Sequence, residues 1–238
     1  MSTVHRPTPP PPGHRPEPLT PERVWYASYG SNMDAARLHH YIAGGRPPGS
    51  ARTYPGCRDH GAPARSVSVE LSGVLYFATE SSVWTGGRAF YDPDAGGRVW
   101  ARAHLITTGQ FSDIAAQEMY RPPGTDLDLG PVLATGRQRL GPGRYETLVC
   151  PGLLAGLPVL TFTAPWHIGD VEPVVPSGAY LRHLASGLLA AGGWDAAAVA
   201  RYLSRAPGAA GAWTPEGVAR LMDPGPDRAD PPRGAPER

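Results

Sequence analysis

The junction Tyr29-Gly30-Ser31-Asn32 constrains this chain most, because an apolar run from Val24 to Ala27 gives way there to an amphipathic one. It reads as a strand, a tight turn and a helix start. Gly30 is expected to supply the free backbone dihedrals of the turn, and Ser31 or Asn32 to cap the helix, leaving amides that point outward. With the positive end of a helix dipole behind them, such amides form an anion cradle able to hold a small carboxylate without an arginine. The same tetrapeptide also fits an ordinary capped turn.

Further along, the segment Thr107 to Tyr120 reads as a helix. Thr107 and Gln110 have capping-box spacing, and Phe111, Ile114 and Ala115 recur on one apolar face. Glu118 falls on that face, near the helix C-terminus, where the dipole does not favour a negative charge. A carboxylate taken out of water there is disposed to take and return a proton near neutral pH, as a general acid/base does. The alternative is a helix-end glutamate that reaches solvent or pairs with Arg121.

Other strand-like runs lie around Val69 to Thr79, Val99 to Thr107, Tyr145 to Cys150 and Leu157 to Thr163. In the second of these, Val99, Ala101, Ala103 and Leu105 alternate with Trp100, Arg102, His104 and Ile106, which predicts a sheet with one solvated side. The last third is more helical. Leu181, Leu184 and Leu188 recur at helix spacing, Trp194 to Leu203 follows, and Thr214-Pro215-Glu216 reads as a cap and first turn. The pattern predicts an α+β fold with these helices beside the sheet.

Several function classes are disfavoured by what the chain lacks. A net charge of +1 with no lysine or arginine block gives no footprint for nucleic acid or an anionic membrane. The two cysteines, Cys57 and Cys150, lie far apart and suit neither a disulfide scaffold nor a cysteine-built zinc site, so a reducing cytoplasm is expected. No signal-peptide core or bilayer-length apolar run is present. The histidines His39, His40, His60, His104, His167 and His183 show no short-range ligand spacing, and no Gly-x-Ser-x-Gly elbow occurs. No metal and no cofactor are therefore expected, and a zinc-dependent deacetylase or peptidase is disfavoured.

Residues 1–22, with the run Thr8-Pro9-Pro10-Pro11-Pro12-Gly13, carry too few apolar side chains to offset the entropy of ordering them. They are expected to be a disordered or polyproline-like tail, idle or a ligand for aromatic grooves. The stretch 224–238 reads the same way. One domain over 23–223 is left, long enough at 41% hydrophobic content to bury a core.

The strand that enters the junction, Trp25-Tyr26-Ala27-Ser28-Tyr29-Gly30-Ser31-Asn32-Met33, resembles the N-terminal strand of the gamma-glutamylcyclotransferase-like family. Four more segments resemble that family in the same order: Trp84-Thr85-Gly86-Gly87-Arg88-Ala89, Val99-Trp100, Ala116-Gln117-Glu118, and Pro176-Ser177-Gly178-Ala179-Tyr180. The resemblance spans roughly Val24 to Ala191. It implies a small mixed β-barrel with surrounding helices, and Glu118 as catalytic residue. It also implies an intramolecular aminolysis. The α-carboxylate of a γ-glutamyl peptide or amine is held at Tyr29, Gly30, Ser31, Asn32 and Met33, and its own α-amine attacks the γ-carbonyl, releasing 5-oxoproline. Gly86-Gly87 is expected to be a tight turn beside the site, with Trp84 packed beneath it.

Two departures bear on substrate. Phe162 stands in the late strand where the family often has tyrosine, and Arg102 and His104 occupy a strand that is commonly apolar. A small-molecule binding protein without turnover is the second reading, and an amide hydrolase or deacetylase the third. The γ-glutamyl donor and the oligomeric state are left open.

Overall fold

The computed structural model describes residues 2–10, 21–47, 53–81 and 84–223. The expected β2 (Arg23–Ser28), β6 (Arg98–Thr107), β8 (Thr147–Leu154) and β9 (Leu157–Thr163) all form, joined by β1 (Val4–His5), β3 (Arg65–Ser72) and β7 (Arg137–Arg139). These seven strands make one mixed sheet in the order β1-β3-β6-β2-β9-β8-β7. β2 lies at its centre, antiparallel to β6 and parallel to β9. A separate hairpin pairs β4 (Val74–Glu80) with β5 (Gly87–Asp92). The mixed α+β class is as expected. The barrel is not closed: among the described residues, β1 and β7 are free edges and the hairpin is a sheet of its own.

The run expected as one strand from Val69 to Thr79 is two. Gly73 breaks it at φ +125°, where a Cβ would stand 2.4 Å from the Asp92 carbonyl oxygen. Only a residue without that atom lets the chain double back on β5.

The sheet has no solvated side. Alternate residues of β2 belong to two different cores, so both faces are covered. Trp25 and Ala27 pack with Val69, Ala101, Leu75, Tyr91 and the leucines of α4 (Gly178–Ala191). Val24 and Tyr26 pack with Ile106, Leu160 and the apolar faces of α1 (Ala35–Ala43) and α2 (Thr108–Glu118). The expected polar positions of β6 are therefore interior or capped: His104 is 1% exposed, and Trp100 is sandwiched between Trp194 at 4.6 Å and Tyr202 at 4.4 Å.

Residues 2–10 correct the expectation of a disordered tail. β1 runs parallel to β3, Arg6 pairs with Glu70 at 2.8 Å, and Thr8 and Leu153 exchange backbone hydrogen bonds of 2.9 and 2.8 Å. The free edge of β3 supplies the backbone partners that the segment's side chains cannot. Thr8 itself is in this ordered part, whereas the prolines at 11 and 12 and the stretch 224–238 lie outside the described residues.

The helices carry their caps where the sequence places them. Thr107 and Gln110 close a reciprocal capping box on α2, Ser177 caps α4, Asp195 caps α5 (Ala196–Arg205) and Thr214 caps α6 (Pro215–Met222). A short α3 (Gly130–Thr135) precedes β7. No helix among the described residues is long and apolar enough to cross a membrane.

α2, which carries Glu118, is pinned at its middle by Asp113. This fully buried carboxylate accepts from the Arg58 amide at 2.8 Å, the Arg58 Nε at 3.1 Å and the Gly124 amide at 2.9 Å. Burial works against its ionisation, but the hydrogen bonds from Arg58 and Gly124 outweigh it and hold the carboxyl below its usual range. A depressed folded value means the stabilisation is complete above the unfolded carboxyl's value, about 3.9, and is lost as pH falls through the folded one. Asp113→Asn is expected to cost about 1–3 kcal/mol in denaturant titrations at pH 7, and the gap to wild type should shrink at acid pH. A gap that does not change with pH would show that the charge of Asp113 does not matter.

Candidate functional site

β2 ends at Ser28, and the chain turns through Tyr29 and Gly30 into a single 3-10 turn, Ser31–Met33, before α1 begins. The junction is thus a strand, a turn and a helix, but its details differ from expectation. Gly30 has φ −111°, which any residue can adopt, and a Cβ there would meet only the Tyr180 hydroxyl at 3.7 Å. Gly30 lines the pocket, but its backbone conformation does not require a glycine. The cap of α1 is Asp34, whose Oδ1 accepts from the Arg37 amide at 2.8 Å, and neither Ser31 nor Asn32 caps it. The amides of Met33 and Asp34 bond back to Gly30 and Ser31 at 3.1 and 3.2 Å. A three-residue turn has little macrodipole, so the expected amide cradle is reduced to the first part of the turn.

Five of the six expected site residues meet in one pocket. Tyr29, Gly30, Ser31 and Asn32 line it from the β2 end, and Glu118 lines it from the end of α2. Met33 does not. It is 1% exposed, packs in the core, and its carbonyl accepts from Arg102 Nη1 at 3.1 Å. Gly187 of α4 lies against it so closely that a Cβ there would stand 2.6 Å from the Met33 Cβ. Met33 therefore anchors the turn from behind.

Asn32 links the two halves of the site. Its Nδ2 donates to Glu118 Oε1 at 3.1 Å and to the Tyr26 hydroxyl at 3.3 Å. Glu118 is half-buried, and it does not pair with Arg121, which binds Glu146 instead. Tyr41 lies near Glu118; burial, then the Glu118 charge, pushes its phenol well above the usual range. Burial likewise raises the Tyr26 and Tyr145 phenols and pushes Tyr180 up to about 12. Near neutral pH all four stay protonated and are neutral donors around a single carboxylate.

The sequence did not single out the pocket's cations. Arg37 and Arg88 both line it. Arg37 donates from Nε to Ser31 Oγ at 2.8 Å and from Nη2 to the Tyr54 hydroxyl at 3.0 Å, with its guanidinium 5.2 Å from the Trp84 ring centre. Arg88 is tied to the Glu80 carbonyl. A lone arginine on a helix carries no motif, and only the proximity of α1 to the turn reveals it. The cavity is about 90 Å3, measured as space open to the centre of a water molecule. One water needs roughly 10–15 Å3 by that measure, so a small metabolite fits.

Trp84, expected beneath the turn, lines the pocket itself, stacked on Tyr180 at 5.5 Å, and its carbonyl accepts from Ser177 Oγ at 2.7 Å. Gly86 has φ +73° and the Ser81 amide bonds to its carbonyl, closing the turn. Phe162 lines the pocket as an apolar wall stacked on Tyr26 at 5.4 Å, with the Tyr145 ring 6.2 Å away. Arg102 and His104 do not line it. His104 sits behind the turn, 2.8 Å from Ser66 Oγ, and burial lowers it to about 3, so it is neutral.

The pocket's lining, among the described residues, offers one carboxylate and no imidazole or thiol. Among the described residues, one cluster has metal-ligand chemistry: Asp92, Asp94 and His167, away from the pocket, with Asp94 paired to Arg137 at 2.8 Å. Cys57 is buried and its thiol is pushed up to about 12 by burial, so it is no nucleophile.

No protein-family model matches this chain. Histone deacetylase 5 of Arabidopsis thaliana is 32% identical over 193 residues, which is 71% of this chain and 28% of that protein. The chain thus spans under a third of the length of that curated relative. Among solved structures, an uncharacterized protein from Homo sapiens matches at 17% identity with a TM-score of 0.46, covering 84% of this chain and 98% of that one. A gamma-glutamyl cyclotransferase matches at 15% identity and a TM-score of 0.43 with the same coverage.

Proposed function

We propose that this protein is a gamma-glutamylcyclotransferase-like enzyme that releases 5-oxoproline from a γ-glutamyl peptide or amine. The observation that carries the reading is the meeting of Glu118 with the Tyr29 to Asn32 turn in one pocket, through the Asn32–Glu118 hydrogen bond of 3.1 Å. The donor's α-carboxylate lies at the turn, which directs its α-ammonium toward Glu118. Glu118 takes a proton from that ammonium, and the freed amine attacks the γ-carbonyl carbon. As the new C–N bond closes the five-membered ring, the old amide C–N bond breaks and Glu118 returns the proton to the departing nitrogen; the second proton, shed by the ring nitrogen as it becomes the lactam N–H, passes by the same carboxylate to the released amine, which leaves as an ammonium. Atoms balance without water, metal or a covalent enzyme intermediate. Holding the amine against the carbonyl can contribute ~7–11 kcal/mol in reactions of this type.

The name of the Arabidopsis relative raises a deacetylase reading. The pocket disfavours it, because among its described residues one carboxylate without imidazole or thiol partners does not make a metal-ligand set, and the Asp92, Asp94 and His167 cluster lies away from it. A cytoplasmic location and a γ-glutamyl small molecule as the sole partner class complete the proposal. Acetylating the donor's α-amine tests it: the blocked compound, and an α-linked glutamyl peptide, should both fail to react. Rapid turnover of the N-acetyl compound would rule out internal attack.

A further inference from the structure

Arg37 is a pocket-lining cation, only partly exposed, that forms no ion pair among the described residues. A guanidinium carries five N–H donors in a planar fork. Two are used, on Ser31 Oγ and the Tyr54 hydroxyl. The other three have no protein acceptor among the described residues. The ring faces of Tyr41, Tyr54 and Trp84, with centres 5.8, 5.8 and 5.2 Å from the guanidinium carbon, hold it in place and limit its hydration. A charge withdrawn from water normally has a counter-charge. Glu118, the one carboxylate among the described residues of the pocket, acts on Arg37 only through space and is held by Asn32.

We infer that Arg37 is a carboxylate subsite, seating the α-carboxylate of the γ-glutamyl donor beside Ser31; this rests on the functional reading above. The 3-10 turn supplies no full charge, and the amides of Met33 and Asp34 at its end bond back to Gly30 and Ser31. The arginine supplies one, in a fork that matches a planar carboxylate. Because Arg37 also holds Ser31 Oγ, it fixes the turn and the ligand at once.

The test compares Arg37→Gln and Arg37→Lys with wild type on two donors: a γ-glutamyl anilide, and the 4-aminobutyryl anilide that lacks the α-carboxylate and would cyclise to 2-pyrrolidinone. R37Q should raise KM on the first donor by about tenfold or more, the usual scale for a charge-assisted contact. It should leave KM on the second within about twofold, and R37K should recover part of the loss. An equal loss on both donors would make Arg37 a structural residue only and overturn the inference, even with 5-oxoproline formation intact. If wild type turns over neither donor, calorimetric binding of 5-oxoproline against 2-pyrrolidinone decides separately. A preference for the carboxylate-bearing lactam that R37Q abolishes supports the subsite, and no preference in wild type overturns it.

Discussion

Glu118→Gln is expected to lower kcat by about 10²–10⁴-fold while leaving the fold and ligand affinity nearly unchanged. The amide keeps an oxygen to accept from Asn32 Nδ2, so the bridge between α2 and the turn survives. What it cannot do is take a proton from the α-ammonium. Thermal unfolding and turnover must be measured on the same preparation. A variant that retains near-wild-type turnover with an intact fold would remove Glu118 from the chemistry, and a protein that only binds would have no turnover to lose.

Gly187→Val should have the largest effect on the scaffold. The added Cβ would stand 2.6 Å from the Met33 Cβ and 3.0 and 3.1 Å from the backbone of Met33 and Asp34, none of which is a flexible side-chain tip. Either α4 or the turn must move. Overpacking of this kind costs about 1–3 kcal/mol, roughly 2–4 °C of Tm for each kcal/mol in a domain of this size. A glycine inside a helix gives up about 1 kcal/mol against alanine, so the close approach is what justifies it here. Under the proposed function the turn carries the ligand site, so activity should fall further than stability explains, by up to about 100-fold for a displacement near 1 Å. Wild-type kinetics in a destabilised variant would separate α4 packing from the site.

The parts of this molecule that rest on local chemistry could be read in the sequence. The capping box of Thr107 and Gln110, the bounds of β9 and the cap at Thr214 follow from neighbours along the chain. Glu118 and Asn32 were legible as separate residues, but their contact spans 86 positions and needed the fold. Features set by tertiary contact were missed. The alternation in β6 suggested a wet face, yet Trp194 and Tyr202 close over Trp100, and periodicity along one strand cannot see them. Val4 and His5 have no strand signal of their own and are ordered by the edge of β3. The choice of Asp34 over Ser31 as cap was available to sequence reasoning, since either residue type serves; the intervening 3-10 turn decided it. Arg37 gave no signal at all.

The most direct test of the central claim is the identity of the first product formed from a panel of γ-glutamyl peptides and amines, followed by mass detection. Internal attack predicts 5-oxoproline together with the free amine or amino acid, formed in equal amounts and without incorporation of oxygen from labelled water. Free glutamate as the initial product, carrying the solvent label, would contradict it and identify water as the nucleophile.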